Sequence, residues 1–187
     1  IIQQSIDSGS GRLYELESTL GRLMENLPTV QTETVVRLIV KAMQRIDRIG
    51  NRQLSHLAAT LGGLLKILPP AQTEIGARMI VKAMQQSNDR EQFRTLAQEL
   101  GELGGKLPIA EAEAGARLII KAMQQETDSV QLSKLAVALS GLGEKLPIAQ
   151  TEAGARLIIK AMQEQEIEHG ELIGLAQALG GLGEKLS

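Results

Sequence analysis

The sequence contains no cysteine and no tryptophan, and its only aromatic side chains are Tyr14 and Phe93. Without cysteine the chain forms neither disulfides nor thiolate metal sites. A hydrophobic core must therefore be built from Leu, Ile, Val, Ala and Met. No apolar run approaches the roughly 20 residues that a membrane-spanning helix needs. We therefore expect no membrane contact and a cytoplasmic location.

The chain also lacks a large excess of charge of either sign. Lys and Arg together number 20 and Asp and Glu 22, which leaves a formal net charge of −2. No strong long-range field follows from such a balance. The composition therefore argues against nucleic acid or an anionic membrane as the default partner.

What the chain does contain is an internal repeat. Residues 146–163 match residues 107–124 at 16 of 18 positions, and more divergent versions occur at 68–85 and 27–44. Self-similarity at this period is typical of stacked helical repeats. We expect a single repeat domain over 1–187, with a partial first unit followed by four full ones: 1–26, 27–67, 68–106, 107–145 and 146–187.

Each unit reads as two helices, here called helix A and helix B. A Leu-Pro pair opens each full unit, and proline ends one helix but is tolerated at the start of the next. Helix A is apolar except for one narrow stripe, which predicts burial on several sides. Helix B is amphipathic, with apolar residues at i, i+3, i+4 and i+7. Asp89 and Asp128 fit N-caps of helix B.

Small residues recur at one position after the fourth apolar residue of helix B, which predicts close approach of a neighbouring helix. These residues are Gly21, Gly62, Gly101, Ser140 and Gly180. Helix A carries Gly76, Gly115 and Gly154 at another position, where the first full unit has Val35. We expect different packing near the N-terminus.

This pattern resembles the HEAT and armadillo class of α-solenoids, whose units are helix pairs of about this length. The third short helix of armadillo proteins is missing, and the proline lies between units. The resemblance implies an all-α fold: a right-handed solenoid of stacked antiparallel helix pairs, with about four and a half repeats. It also implies that helix B lines the concave surface.

The polar stripe of helix A forms charged columns. Glu33, Glu74, Glu113 and Glu152 each precede an arginine by four residues, and a lysine follows four residues later. The columns could grip phosphates or an acidic partner, or they could be a solvated stripe held by Glu–Arg pairs. The second interpretation is preferred. The basic residues are Arg37, Arg78, Arg117, Arg156, Lys41, Lys82, Lys121 and Lys160.

The exposed face of helix B varies between units while the apolar positions repeat. Uniform apolar positions combined with a varied exposed face are typical of repeat proteins that bind an extended ligand, although neutral drift would give the same pattern. We expect a non-enzymatic scaffold that binds a protein or peptide there. The candidate residues are Glu15, Arg22, His56, Thr95, Gln98, Glu102, Lys134 and Gln177.

Two other functions stay open. The last unit has no polar substitution on its interior faces, so its outer face should be apolar and exposed. More chain, a second copy in a homo-oligomer, or closure into a ring could cover it. Nucleic-acid binding through the basic columns is less favoured. No catalytic set, cofactor fingerprint or metal site is predicted, and His56 and His169 read as surface residues.

Overall fold

The computed structural model describes residues 34–39, 60–63, 65–66, 68, 70–164 and 168–184. Helices occupy most of these residues, and no strand occurs among them, which confirms the all-α class. Residues 34–39, 60–63 and 65–66 are helical. The helices with described bounds are α1 (Pro70–Gln86), α2 (Arg90–Leu103), α3 (Ile109–Gln125), α4 (Ser129–Gly141), α5 (Ile148–Glu164) and α6 (His169–Gly183).

The helices fall where the sequence predicts them. Helices α1, α3 and α5 are A helices, and α2, α4 and α6 are the B helices of the same units. The backbone N–H of Gln92 donates to Asp89 Oδ1 at 2.7 Å, and that of Gln131 donates to Asp128 Oδ1 at 2.9 Å. Both predicted N-caps are therefore confirmed, since each carboxylate accepts from an otherwise free amide of the first turn.

A short 3₁₀ turn follows α2 and α4 before the next proline, which the sequence did not predict. The turns are Gly104–Lys106 and Gly143–Lys145. Gly104 has φ +34°, a left-handed conformation that glycine adopts without steric cost. Pro108 follows in an extended conformation, directly before α3. The chain thus turns over residues 104–108, not at Leu-Pro alone.

The chain divides into two compact units, Ile1–Leu96 and Ala97–Ser187. The boundary falls inside α2. The single repeat domain and its five sub-ranges stay a prediction.

In the unit Ala97–Ser187, each helix packs against its sequence neighbour and the equivalent helix one repeat away. Within the repeats, α3 packs on α4 and α5 on α6. Between the repeats, α3 packs on α5 and α4 on α6, and α4 also contacts α5. These contacts bury the apolar face of α4 against several neighbours at once.

Glycines on the A helices make room for leucines of the B helices. A Cβ on Gly115 would overlap Cδ2 of Leu100 and lie 3.7 Å from Cδ1 of Leu142. A Cβ on Gly154 would meet Leu139 in the same way and lie 3.4 Å from Cδ1 of Leu182. Each of these A helices thus lies over the groove between two B helices, with a leucine filling the notch that glycine leaves.

The B helices approach each other through small residues. A Cβ on Gly101 would lie 2.6 Å from the carbonyl oxygen of Ala138, and one on Gly141 would overlap the carbonyl oxygen of Gly101. Between α4 and α6, Cβ atoms on Gly174 and Gly181 would overlap the hydroxyls of serines on α4. The close approach predicted at Gly101 is therefore confirmed.

The same prediction is wrong at Gly180, the equivalent position on α6. A Cβ there would meet nothing within 4 Å, because no described helix lies against that side of α6. Gly62 is buried, and Gly21 lies outside the described residues.

Packing differs in the unit Ile1–Leu96. Gly76 is the equivalent of Gly115, but its notch is filled by Leu65, which aligns with Gly104 and not with Leu100. Val35, which replaces glycine on the first full helix A, is 5% exposed. The earliest described repeat therefore uses other side chains at this contact.

The two equivalent glycines provide a matched test of the close approach. Gly101→Ala should lower the free energy of unfolding by about 1–3 kcal/mol, because its methyl group meets backbone that moves only with the whole helix. Gly180→Ala should raise it by about 0.5–1 kcal/mol, since alanine favours the helix and has free space. Urea denaturation in dilute solution measures both values. A Gly101→Ala variant as stable as the unchanged protein would contradict the close contact.

Candidate binding face

The exposed side of the B helices forms a band that we call the B-face. On each helix its members lie three or four residues apart, so they share one side of the helix. All of them are exposed: Gln98 and Glu102 on α2, Lys134, Val137 and Gly141 on α4, and Gln177 and Gly181 on α6. The exposure predicted for Gln98, Glu102, Lys134 and Gln177 is therefore confirmed.

The structure corrects the prediction for Thr95. The sequence predicted it on the exposed face, but it is 6% exposed, and its hydroxyl donates to the backbone carbonyl of Glu91 at 2.9 Å. A threonine in a helix satisfies its hydroxyl through such an i−4 bond and so tolerates burial. Thr95 is not part of the B-face.

Three candidates of the same predicted face, Glu15, Arg22 and His56, lie outside the described residues, and so does Lys41 of the basic columns.

Close packing makes the B-face nearly continuous from α4 to α6. The Ser133 hydroxyl donates to the backbone carbonyl of Glu171 at 3.4 Å, and Ser140 lies against Gly181. Gly141 and Gly181 are exposed, and a Cβ on either would point at the neighbouring B helix. Val137, which is 49% exposed, projects beside them.

The B-face offers mixed chemistry. Gln98 and Gln177 provide amides that both donate and accept hydrogen bonds. Glu102 and Lys134 provide one charge of each sign, and Val137 provides an apolar contact. Such a set can donate and accept hydrogen bonds and make one apolar contact.

The helix A stripe consists of paired charges. The guanidinium groups of Arg78, Arg117 and Arg156 lie 2.7, 3.6 and 3.1 Å from the carboxylates of Glu74, Glu113 and Glu152. All three arginines are exposed, as are Arg37, Lys82, Lys121 and Lys160. The pairing four residues apart follows the sequence prediction. In each of these three units the Glu and Arg charges cancel, so the positive excess of the stripe comes from the lysine.

Two exposed isoleucines at the starts of A helices were missed by the sequence reasoning. Ile109 is 60% exposed and Ile148 is 61% exposed, and they occupy equivalent positions at the starts of α3 and α5. Their position directly after Pro108 and Pro147 is the feature that could have indicated them. The first turn of a helix projects beyond the packed body, so an apolar residue there finds fewer neighbours.

Metal-ligating side chains do not cluster in the part of the chain that the structure describes. No group of three or more His, Asp or Glu lies close enough there to hold a metal ion, and His169 is exposed. None of the helices with described residues combines the length and the hydropathy needed to cross a bilayer.

Comparison with known proteins adds no family to this geometry. No protein-family model matches the chain, and no curated protein matches it at a significant level.

The paired stripe should contribute little to stability. Glu152→Gln should change the free energy of unfolding by less than about 0.5 kcal/mol, because exposed ion pairs are screened by water. On the same helix, Ile158→Ala should cost about 2–5 kcal/mol, since Ile158 is fully buried. Urea denaturation at low and high salt distinguishes the two. A loss above about 1 kcal/mol for Glu152→Gln would show that the stripe holds the fold.

Proposed function

We propose that the protein is a non-enzymatic repeat scaffold that binds an extended protein segment along the B-face. Its architecture in this proposal is a right-handed α-solenoid similar to the HEAT and armadillo class. The observation that carries the proposal is the B-face itself, where exposed side chains differ between repeats that share the contact of a B-helix leucine with an A-helix glycine, Leu100 on Gly115 and Leu139 on Gly154.

Packing in the unit Ala97–Ser187 supports the solenoid. Equivalent helices of neighbouring repeats lie against each other, α3 on α5 and α4 on α6, and each repeat adds one more pair to the same two layers. This is how a helix pair too thin to bury its own apolar sides becomes stable in an array.

The contrast between the two layers supports a concave B-face. B helices meet through Gly101, Ala138 and Gly141, whereas the A helices carry bulky buried residues such as Ile119 and Ile158. Helices that meet through small residues approach more closely than helices that meet through large ones. A stack whose B layer is narrower than its A layer curves toward the B helices.

The chemistry of the B-face favours a peptide as the ligand. An extended chain presents backbone N–H and C=O groups at short intervals, and the amides of Gln98 and Gln177 match both. An apolar side chain of the ligand would lie against Val137. Acidic ligand residues would be favoured near Lys134.

The experiment selects peptides from a displayed random library on the purified protein and measures their affinity by fluorescence anisotropy. Val137→Glu should weaken binding of the selected peptides at least tenfold, about 1.4 kcal/mol, because it places a charge at the apolar contact. Gln124→Glu adds the same charge to an exposed position on helix A. This control should change affinity less than about twofold.

Two results would contradict the proposal. One is a selection that yields no peptide with measurable affinity. The other is a set of peptides whose binding survives Val137→Glu but is lost when residues of the helix A stripe are replaced.

A second candidate, nucleic-acid binding, rests on the exposed arginines and lysines of helix A. Because each described Glu–Arg pair cancels its own charge, we expect no binding to mixed-sequence DNA or RNA even at low salt. A variant with Glu74, Glu113 and Glu152 replaced by Gln loses three negative charges and should gain salt-dependent binding. The same binding by the unchanged protein in an anisotropy titration would restore this candidate.

A further inference from the structure

Helix α4 carries an exposed strip in which one charge lies between two apolar side chains. Val130, Lys134 and Val137 lie at i, i+4 and i+7, which places them on one narrow side of the helix. Val130 is 40% exposed and Val137 is 49% exposed, and Lys134 between them is exposed as well. Lys134 and Val137 belong to the B-face, and Val130 extends it toward the start of α4. We call these three residues the α4 strip.

The valines of the strip are not exposed for want of a neighbouring helix. Helix α4 packs against α3, α5 and α6, and it approaches α2 at Gly101. The strip lies on the side of α4 that these four contacts leave open.

The repeat does not impose the apolar character of the strip either. No equivalent position on α2 or α6 holds valine, leucine or isoleucine. The equivalents are Glu91, Thr95 and Gln98 on α2 and Gly170, Gly174 and Gln177 on α6. Among these three B helices, apolar side chains at these positions are therefore confined to α4.

The charge at the centre of the strip is positive. Lys134 forms no ion pair with any carboxylate of the residues that the structure describes. Glu102, the acidic member of the B-face, is the equivalent of Gly141 and lies about 10 Å further along the helix direction than Lys134. Apolar side chains on both sides of an ammonium group reduce the access of water to an ion pair that forms there, which strengthens the pair. The strip therefore fits a carboxylate that is itself flanked by apolar side chains.

The neighbours of Val137 indicate the course of such a ligand. Gln98 on α2 and Gln177 on α6 are the equivalents of Val137 and are exposed on either side of it. In an extended chain alternate side chains point to one side, while the backbone N–H and C=O groups point sideways. A chain that follows α4 would direct alternate side chains to the strip and its backbone groups to the two amides.

The spacing of the strip agrees with this course. Val130 and Val137 are about 10.5 Å apart along the helix axis. Residues i and i+4 of an extended chain are about 13 Å apart, so residues i, i+2 and i+4 of the ligand cover the strip.

We propose that the α4 strip binds an extended segment with an acidic residue at i+2 between apolar residues at i and i+4. The acidic residue pairs with Lys134, and the apolar residues lie against Val130 and Val137. This inference rests on the proposed function, since it names the class of peptide that the B-face takes and the helix that the peptide follows.

The first test reads the charge. Peptides selected on the unchanged protein should carry this pattern, and Lys134→Glu should weaken their binding at least tenfold in an anisotropy titration. Replacing the acidic residue of the peptide by lysine should restore affinity for the Lys134→Glu variant to within about threefold. Lys121→Glu is the matched control, because it reverses the charge of an exposed lysine on helix A. It should change affinity less than about twofold.

The second test reads the course of the ligand. Val130→Glu should weaken binding of the same peptides at least tenfold, as Val137→Glu does, because a ligand that follows α4 contacts both valines. Circular dichroism checks that each variant keeps its helices.

The outcomes separate this inference from the proposed function. A selection that yields no peptide overturns both. Peptides that are lost on Val137→Glu but lack an acidic residue, or that bind the Lys134→Glu or Val130→Glu variant unchanged, overturn this inference and leave the proposed function standing.

Discussion

The contact on which the rest of the structure depends is the one between backbones of neighbouring B helices. At Gly101, Ala138 and Gly141 the helices are so close that an added Cβ would strike main-chain atoms. Main-chain atoms cannot move aside as a flexible side chain can, so this contact fixes the distance between these neighbouring B helices. The A helices then lie over grooves of set width between the B helices.

The amino-acid composition of the chain determines how its interior can be packed. A chain without tryptophan or cysteine cannot rely on large aromatic anchors or disulfides. It fills its interior with leucines set into notches, as Leu139 is against Gly154. Each mid-helix glycine weakens the local helix by about 0.5–1 kcal/mol relative to alanine. Burial of a leucine contributes about 1.5–3 kcal/mol, so the exchange favours the packed array.

Whether a feature of this structure can be predicted from the sequence depends on how far apart along the chain the interacting residues lie. The caps at Asp89 and Asp128 and the Glu–Arg pairs of helix A are local, and a few residues suffice to predict them. The burial of Thr95 could not be predicted from a repeat alignment, because its equivalents, His56 and Lys134, are polar. The hydrogen bond from its hydroxyl to the carbonyl four residues earlier also leaves no trace in the spacing of apolar residues. The 3₁₀ turn at Gly104 was missed because the proline that follows the turn is sufficient by itself to end a helix. The exposure of Ile109 and Ile148 depends on tertiary geometry at the helix start, which periodicity does not contain.

Different sides of α6 are under different constraints. Its B-face positions, Gln177 and Gly181, are exposed and need no apolar residue, so these positions can vary between repeats. Another side of α6 carries Leu172 and Ala176, the equivalents of the buried Leu132 and Ala136 of α4, and both are exposed. Leu172 is therefore an interior residue in a surface position.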